Sequence, residues 1–285
     1  MRFLRFQNNG REGLAIEDGR EAHGLYADDA RYPGSLAAII GAGANALTRA
    51  ADLLRKGAPI DLDAIDFLPP LGQTGKIICL GGNYPAHVKE VGLKIPPHPT
   101  IFARFPSSLV GHRANLIRPR VSTQFDYEGE LVAVIGKHGR HIPEGKALEH
   151  VVGYSIFNDA SVRDYQIETP QWTVGKNFDG TGALGPYLVT ADEVPPGGSG
   201  LRLETRLNGQ VVQGGLTSEM IYSVANTISF LSQAMTLDPG DLLIMGTPPG
   251  VGMARKPPLY MKAGDRCEVA VEGLGILSNA VVDEA

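Results

Sequence analysis

Glu128 and Glu130 lie two positions apart in the segment DYEGE (126–130), which runs directly into the apolar stretch 131–135. On a β-strand, side chains two positions apart point to the same face, so we expect two neighbouring carboxylates here. Like charges at such a distance repel unless a cation lies between them, and Mg²⁺, Mn²⁺ and Ca²⁺ prefer oxygen ligands. The same spacing also fits an ordinary strand edge that faces solvent.

Asp159 is a second acidic candidate, because it directly follows a predicted strand at 151–158. A carboxylate at a strand end, before a polar turn, often binds a ligand. Aspartate is equally common in turns and at helix N-caps, and this alternative stays open.

His87 and Glu90 are three residues apart in the segment NYPAHVKE (83–90). On a helical turn such residues share a face. A carboxylate beside an imidazole orients the ring and raises its basicity, which suits a general base. An incidental pair on a solvated helix is the alternative.

Short strands separated by turns are expected to position these side chains, since the chain contains 36 glycines and 20 prolines. Asn208-Gly209 between two apolar runs predicts a two-residue hairpin. The predicted fold class is α+β and strand-rich, with a small N-terminal domain at 1–70 and a catalytic domain at 71–285. Strands are expected at 76–80, 130–136, 151–158, 187–190, 201–207, 242–245 and 266–271, and helices at 35–40, 44–54 and 218–235, the last capped by Thr217 or Ser218.

The chain has 285 residues and the composition of an ordinary globular protein, with 43% hydrophobic and 20% charged residues. A net charge of −5 argues against nucleic-acid and membrane partners, because both are anionic. Cys79 and Cys267 have neither disulfide-framework nor zinc spacing, and no apolar leader or membrane-spanning stretch is found. We therefore expect a cytoplasmic location.

In combination, the motifs resemble the fumarylacetoacetate hydrolase superfamily from about residue 76 to the C-terminus. The order and spacing of the segments carry the resemblance. They are GGNYPAHVKE (81–90), PTIFARFPSSLVG (99–111), DYEGELVAVIG (126–136), VVGYSIFNDASVRDYQ (151–166), GKNFDGTGALGP (175–186), LNGQVVQ (207–213) and GDLLIMGTPPGVG (240–252).

The resemblance implies a mixed β-sheet roll, usually a homodimer, and a set of site residues. It implies Mg²⁺ or Mn²⁺ (Ca²⁺ as a substitute) on Glu128, Glu130 and Asp159, with His87, Glu90 and Lys176 as catalytic residues. Arg163, Gln166, Thr247 and Tyr84 are the implied substrate contacts. Arg104 stands where many members have lysine, and we expect it to bind a substrate carboxylate in fork fashion.

The implied reaction is hydrolysis of a carbon–carbon bond in an acylpyruvate, a 2,4-dioxo acid. Maleylpyruvate or fumarylpyruvate from aromatic catabolism, or a sugar-derived diketo acid, are the candidate substrates. The alternatives are decarboxylation of oxaloacetate, or isomerisation or hydration of related 2-oxo acids, because all of these reactions use a metal-held enolate.

Other classes of protein fit less well. The sequence has no GxGxxG after a strand, no phosphate loop and no GxSxG, so a dinucleotide enzyme or a serine hydrolase is not expected. A catalytically inactive protein of the same fold that binds a small dicarboxylate remains a different hypothesis. The complete set of implied catalytic and metal residues argues against it.

Overall fold

The computed structural model describes residues 1–19, 21–72 and 74–285. Within these ranges the α-helices are α1 (Leu36–Gly41), α2 (Ala44–Arg55), α3 (Pro85–Glu90), α4 (Arg163–Ile167), α5 (Thr173–Lys176) and α6 (Val224–Ala234). The strands are β1 (Arg2–Asn8), β2 (Arg11–Asp18), β3 (Glu21–Tyr26), β4 (Ala58–Pro59), β5 (Asp66–Leu68), β6 (Ile77–Gly81), β7 (Thr100–Ala103), β8 (Leu109–Val110), β9 (Leu116–Arg118), β10 (Phe125–Asp126), β11 (Gly129–Ile135), β12 (Val151–Asn158), β13 (Ser161–Val162), β14 (Gly182–Thr190), β15 (Arg202–Leu207), β16 (Gln210–Leu216), β17 (Leu242–Ile244), β18 (Arg266–Val271) and β19 (Gly275–Asp283).

Two large sheets and one short pair form in the described part of the chain. The larger sheet has 12 strands with the central order β4-β3-β2-β1-β14-β12-β11-β17-β6-β7, and the second has the order β16-β15-β18-β19-β9. Strands β17 and β6 are parallel whereas most neighbours are antiparallel, so the sheet is mixed. The strand-rich α+β class predicted from the sequence is therefore confirmed.

Strand β11 is buried on both faces, as its continuous apolar run predicts. Leu131, Ala133 and Ile135 pack into the core between the two large sheets. Val132 and Val134 pack on the opposite face, in the core that is covered by α1 and α2. The strand is thus packed on both faces, which fixes the position of its first residues.

The first 70 residues contribute strands to the same large sheet. Strand β1 pairs antiparallel with β14, with Arg2 opposite Val189 and Phe3 opposite Leu188. The domain boundary near residue 70 stays a prediction, and backbone pairing crosses it.

The helix predicted at 218–235 is shorter than expected. A 3₁₀ turn covers Thr217–Glu219, and α6 begins only after Ser223, whose hydroxyl accepts a hydrogen bond from the Asn226 N–H. Ser223 is therefore the N-cap, and the prediction of Thr217 or Ser218 was wrong. Thr217 instead accepts a bond from Leu201 N and donates to Gly198 O.

The predicted hairpin is confirmed. Asn208 and Gly209 join β15 to β16 with φ angles of 52° and 79°, the positive values that this turn requires. None of the described helices combines the length and apolarity needed to cross a membrane.

Candidate active site

Four strand ends meet at one edge of the large sheet. Strand β11 begins there, and because β12 and β17 run antiparallel to it and β6 runs parallel to β17, those three strands end there. The register pairs Gly129 with Asn158, and Asp159 N donates to Glu128 O at 2.8 Å. This register is why Glu128 and Asp159 share one site although they are far apart in the sequence.

Glu128, Glu130 and Asp159 form a buried carboxylate cluster at this edge. Their candidate ligand oxygens all lie within 4.8 Å of one another, and each residue is at most 5% exposed. Burial raises the pKa of Glu130 well above its ordinary value, and the charges of Asp159 and Glu128 raise it further. An all-oxygen donor set that needs positive charge fits a hard divalent cation.

Lys176, at the end of α5, lies between two of these carboxylates. Its Nζ is 2.6 Å from Glu128 Oε2 and 2.6 Å from Asp159 Oδ2. Burial alone would lower the pKa of Lys176, but the charges of Asp159 and Glu128 outweigh it, and the pKa is raised. The buried ammonium therefore stays charged.

Arg163, at the beginning of α4, supplies a second cation. Its Nη2 lies 2.8 Å from both Asp126 Oδ2 and Glu128 Oε1, and its Nη1 donates to Gln166 Oε1 at 2.8 Å. Burial opposes ionisation of Glu128, but Lys176 and Arg163 overcome it and lower the pKa of Glu128 below its usual range.

Asp126 is a site residue that the sequence reasoning missed. It is fully buried and, besides Arg163, accepts hydrogen bonds from Gly252 N at 2.8 Å and Met253 N at 2.9 Å. It lies two positions before Glu128, so the alternation at 126, 128 and 130 was the available signal.

Arg104 does not occupy the predicted position of a substrate contact. The side chain is 2% exposed and donates to Asp159 at 2.5 Å, to Thr181 at 2.8 Å and to Ser108 at 3.2 Å. These partners hold the guanidinium against Asp159, and Arg104 is not among the residues that line the cavity. Its position suits a role in holding the carboxylate.

Tyr84 also lies beneath the surface of the cavity. It is 1% exposed, is not among the lining residues, and its hydroxyl has no hydrogen-bond partner among the described residues. Burial, with the charges of Glu130 and Glu219, raises the pKa of Tyr84 above its ordinary value. A direct substrate contact, as predicted, does not fit this buried position.

The His87–Glu90 pair is formed on α3. His87 Nδ1 lies 3.3 Å from Glu90 Oε2, and the two oxygens of the Glu90 carboxylate share the Gly250 N–H, at 2.9 and 3.0 Å. Burial opposes ionisation of Glu90, but His87 and the Gly250 N–H lower its pKa. An ionised Glu90 can therefore orient the imidazole.

A cavity of about 170 Å³ lies between His87 and the carboxylates of Glu128 and Glu130. Trp172 and Phe102 form an apolar wall, with ring centroids 5.5 Å apart. The polar lining residues are the predicted ones His87, Glu128, Glu130, Arg163, Gln166, Lys176 and Thr247.

Thr247 contributes to the cavity with a hydroxyl that already has partners. Its Oγ1 donates to Gly129 O at 2.9 Å and accepts from Gln213 Nε2 at 2.8 Å. The neighbouring Gly246 N donates to Glu130 Oε2 at 2.5 Å. Gly246 and Thr247 are thus hydrogen-bonded to the Glu130 side chain and to the Gly129 peptide at the start of β11.

The fold and the site define an α+β protein with a candidate divalent-metal centre that opens into a small cavity. Residues 76–282 match the sequence profile of the family described as fumarylacetoacetate (FAA) hydrolase, C-terminal. The chain belongs to the fumarylacetoacetate hydrolase family, as the motifs predicted.

Relatives that are named for different activities match nearly the whole chain. Rat oxaloacetate tautomerase Fahd2a, mitochondrial, is 38% identical over 99% of this chain and 92% of its own length. Among solved structures, a fumarylacetoacetate hydrolase from Exiguobacterium antarcticum is 36% identical with a TM-score of 0.87, and covers both chains completely. Maleylpyruvate hydrolase from Sphingobium sp. SYK-6, solved with manganese(II) and pyruvate, is 26% identical with a TM-score of 0.83, also over both full chains.

Proposed function

We propose that the chain is a metal-dependent enzyme that acts on a small 2-oxo acid through its enolate, with keto–enol interconversion of oxaloacetate as the first candidate reaction. The observation that carries the proposal is that His87 lines the same small cavity as Glu128 and Glu130, two of the three carboxylates of the cluster. Enolisation needs a base that removes a proton from carbon and a positive charge that stabilises the negative charge on the carbonyl oxygen. The rat oxaloacetate tautomerase, which is similar over nearly the full length, supports the choice of substrate.

In this mechanism Glu128, Glu130 and Asp159 would hold Mg²⁺ or Mn²⁺. The cation, when bound, would supply Lewis-acid stabilisation of negative charge on the 2-oxo oxygen. The manganese-bound maleylpyruvate hydrolase supports a metal of this kind.

The protein's own side chains would bind the substrate and move a proton. The Arg163–Gln166 pair lies at the cavity surface and, with Thr247, would orient the substrate carboxylate. His87, oriented by Glu90, would take a proton from C3 while the C–H electron pair forms the C2–C3 double bond and the C2–O π pair moves to the oxygen. Return of the proton from the His87 imidazolium to that oxygen, directly or through water, would give the enol. The Lys176 ammonium adds positive charge on the side of the oxygen.

Hydrolysis of an acylpyruvate is the second candidate reaction. The Glu90–His87 contact favours it, because an oriented imidazole can take a proton from water as well as from carbon. The hydroxide would attack the distal acyl carbonyl and expel pyruvate enolate. Maleylpyruvate and fumarylpyruvate are the substrates to test for this reaction. Oxaloacetate decarboxylation and the isomerase and hydratase reactions are to be tested as well.

An ultraviolet assay of oxaloacetate enol, oxaloacetate decarboxylation and a panel of 2,4-dioxo acids would test the proposal. We expect enol–keto conversion to be fastest, to disappear with EDTA and to return with Mn²⁺ or Mg²⁺. His87→Ala should lower kcat by about 10²–10⁴-fold, whereas Lys89→Ala, an exposed change on the same helix, should leave it unchanged.

Faster hydrolysis of an acylpyruvate would favour the second candidate reaction. Binding of a dicarboxylate with no turnover of any compound, with metal present, would indicate the inactive binding protein instead. Full turnover by His87→Ala would remove His87 from the mechanism.

Homodimer formation and a cytoplasmic location stay predictions from the family resemblance and the composition. Sedimentation of the purified protein would test the first, and cell fractionation the second.

A further inference from the structure

Gln213, Gly129 and Thr247 close a ring of hydrogen bonds beside the carboxylate cluster. Gly129 N donates to Gln213 Oε1 at 3.0 Å, Gln213 Nε2 donates to Thr247 Oγ1 at 2.8 Å, and Thr247 Oγ1 donates to Gly129 O at 2.9 Å. Gln213 Nε2 also donates to Pro248 O at 2.9 Å. The backbone N–H and C=O of Gly129 and both ends of the Gln213 side-chain amide are therefore hydrogen-bonded.

The ring lies at a place where the sheet itself provides no neighbour on one side. Strand β17 pairs with β11 from Val132 to Val134 only, so Gly129 extends beyond its end. A buried N–H or C=O without a partner is costly. The side chains of Gln213 and Thr247 supply the bonds that another strand would have made.

Gln213 reaches this place from the second sheet. The hairpin at Asn208-Gly209 returns the chain as β16, along which Val211 is 57% exposed and Gln213 is 2% exposed. Gly129 is pressed against the same sheet, because a Cβ on it would lie 2.2 Å from Thr205 Oγ1. The hairpin thus places the buried Gln213 amide against the Gly129 peptide, which lies between the candidate metal ligands Glu128 and Glu130.

We propose that Gln213 is a positioning residue of the metal centre, which holds the Gly129 peptide and thereby the spacing of the Glu128 and Glu130 carboxylates. Gly129 joins the two glutamates directly, so a rotation of its peptide planes would move both carboxylates. The same ring fixes the Thr247 side chain at the cavity wall. The inference rests on the metal site of the proposed function and adds the residue that preorganises it.

Calorimetric titration of the metal-free protein with Mn²⁺ tests this role independently of catalysis. Gln213→Leu should weaken Mn²⁺ binding by about 10–100-fold, the usual effect of losing a residue that orients a ligand. Thr247→Val should also weaken it, whereas Thr247→Ser, which keeps the hydroxyl, should bind close to the wild type. Gln210→Leu, an exposed change on the same strand, is the matched control and should bind as the wild type does.

A double-mutant cycle tests whether Gln213 and Thr247 act on Mn²⁺ binding through the same ring of hydrogen bonds or independently of each other. Because Gln213→Leu and Thr247→Val break the same ring, their combined loss should be smaller than the sum of the single losses. Additive losses, or wild-type Mn²⁺ affinity in Gln213→Leu, would overturn the proposal. Circular dichroism melts establish folding, and if Gln213→Leu does not fold, equal affinity of Thr247→Val and Thr247→Ser would overturn it.

The wild-type titration distinguishes this inference from the proposed function. No Mn²⁺ binding by the wild type would overturn both. Normal wild-type binding with an unaffected Gln213→Leu variant would overturn the role of Gln213 alone.

Discussion

Glu130 differs from the other buried acids of the site in its partners. Glu128 and Asp159 each contact Lys176, and Asp126 contacts Arg163. Among the described residues Glu130 has no cation within salt-bridge distance and accepts only the Gly246 N–H. In the proposed mechanism, its charge is the one that a bound metal would balance.

Glu130→Gln should therefore have opposite effects on stability and on metal binding. Without metal, the folded protein must either bury the Glu130 charge beside Asp159 and Glu128 or bind a proton to neutralise it, so replacing the carboxyl with an amide should raise the free energy of unfolding by roughly 1 kcal/mol or more. Mn²⁺ binding should be lost, because an amide replaces a carboxylate ligand. Urea unfolding in EDTA and calorimetric titration measure the two effects.

Asp159→Asn is the matched comparison at this scale. Its carboxylate is paired with Lys176 and Arg104, so its removal leaves the buried Arg104 without a carboxylate partner and Lys176 with Glu128 alone, and it should destabilise the metal-free protein. Equal destabilisation by both variants would contradict the distinction between Glu130 and Asp159.

The sequence predicted the site residues that a short motif identifies. It did not predict roles that depend on contacts between distant parts of the chain. The spacing of Glu128 and Glu130 pointed to paired carboxylates before any fold was known. Nothing near Arg104 in the sequence indicates that its guanidinium faces Asp159, 55 positions away. Gln213 was part of a quoted motif, but its role depends on how two sheets pack.

At the scale of elements, the segment from α4 to α5 forms one wall of the site. It carries the polar side chains of Arg163, Gln166 and Lys176 and the large ring of Trp172. Trp172 lies so close to the end of β6 that a Cβ on Gly81 would be 2.1 Å from its ring. The missing side chain at Gly81 is what allows this wall to pack against the sheet.

Gly81→Ala should displace Trp172, because such an overlap forces the ring to move. We expect a loss of about 1–3 kcal/mol in the free energy of unfolding, a raised KM and a shifted fluorescence maximum. Trp172 is the only tryptophan in the chain, so the emission reports this wall directly.

Gly41→Ala is the control, since a Cβ there meets no atom within 4 Å. It should leave the emission and KM unchanged. An unshifted emission spectrum in Gly81→Ala would show that Trp172 does not pack as described.

Element prediction succeeded where the local pattern was strong. The strand Val151–Asn158 and the helix Ala44–Arg55 agree with expectation within a residue, because apolar periodicity and flanking turns define both. Strands β2 and β3 were not predicted. Their burial depends on α2, which packs against both of them, and such contacts between elements do not show in a short window of sequence.

For the whole molecule, His112 joins the N-terminal strands to the second sheet. Its Nδ1 accepts a hydrogen bond from Ser278 N at 3.0 Å, and its ring meets Phe67 edge-on with centroids 4.8 Å apart. Burial, helped by the charge of Arg113, lowers the pKa of His112 to about 4. The junction thus requires a neutral imidazole.

Stability should fall in mildly acidic solution because of this residue. The folded-state pKa is below the unfolded value of about 6.5, so the His112 contribution is complete above about pH 6.5 and is lost as the pH falls toward 4. The full loss is about 1–3 kcal/mol after allowance for partial exposure.

Urea unfolding of the wild type and of His112→Asn between pH 7.5 and 4 measures this effect. Asparagine keeps an acceptor for Ser278 N but does not titrate, and the acids common to both proteins cancel. The difference in unfolding free energy should shrink as the pH falls. A difference that is constant with pH would contradict the assignment.

The architecture of the whole chain followed from the family resemblance more than from periodicity. Local patterns predicted many strands but not their order, because pairing partners such as β1 and β14 are about 180 residues apart. Which sheet a strand joins is decided by packing over that distance.

The pairing of β1 with β14 also has a consequence for the design of truncated versions of the protein. The family profile begins at residue 76, which suggests a convenient recombinant fragment. Such a fragment would bare the backbone of Leu188 and Val189 and uncover the apolar face that Phe3 and Leu14 share with Val132. An open strand edge beside exposed apolar surface promotes aggregation, so the first 70 residues belong in any expressed version of this protein.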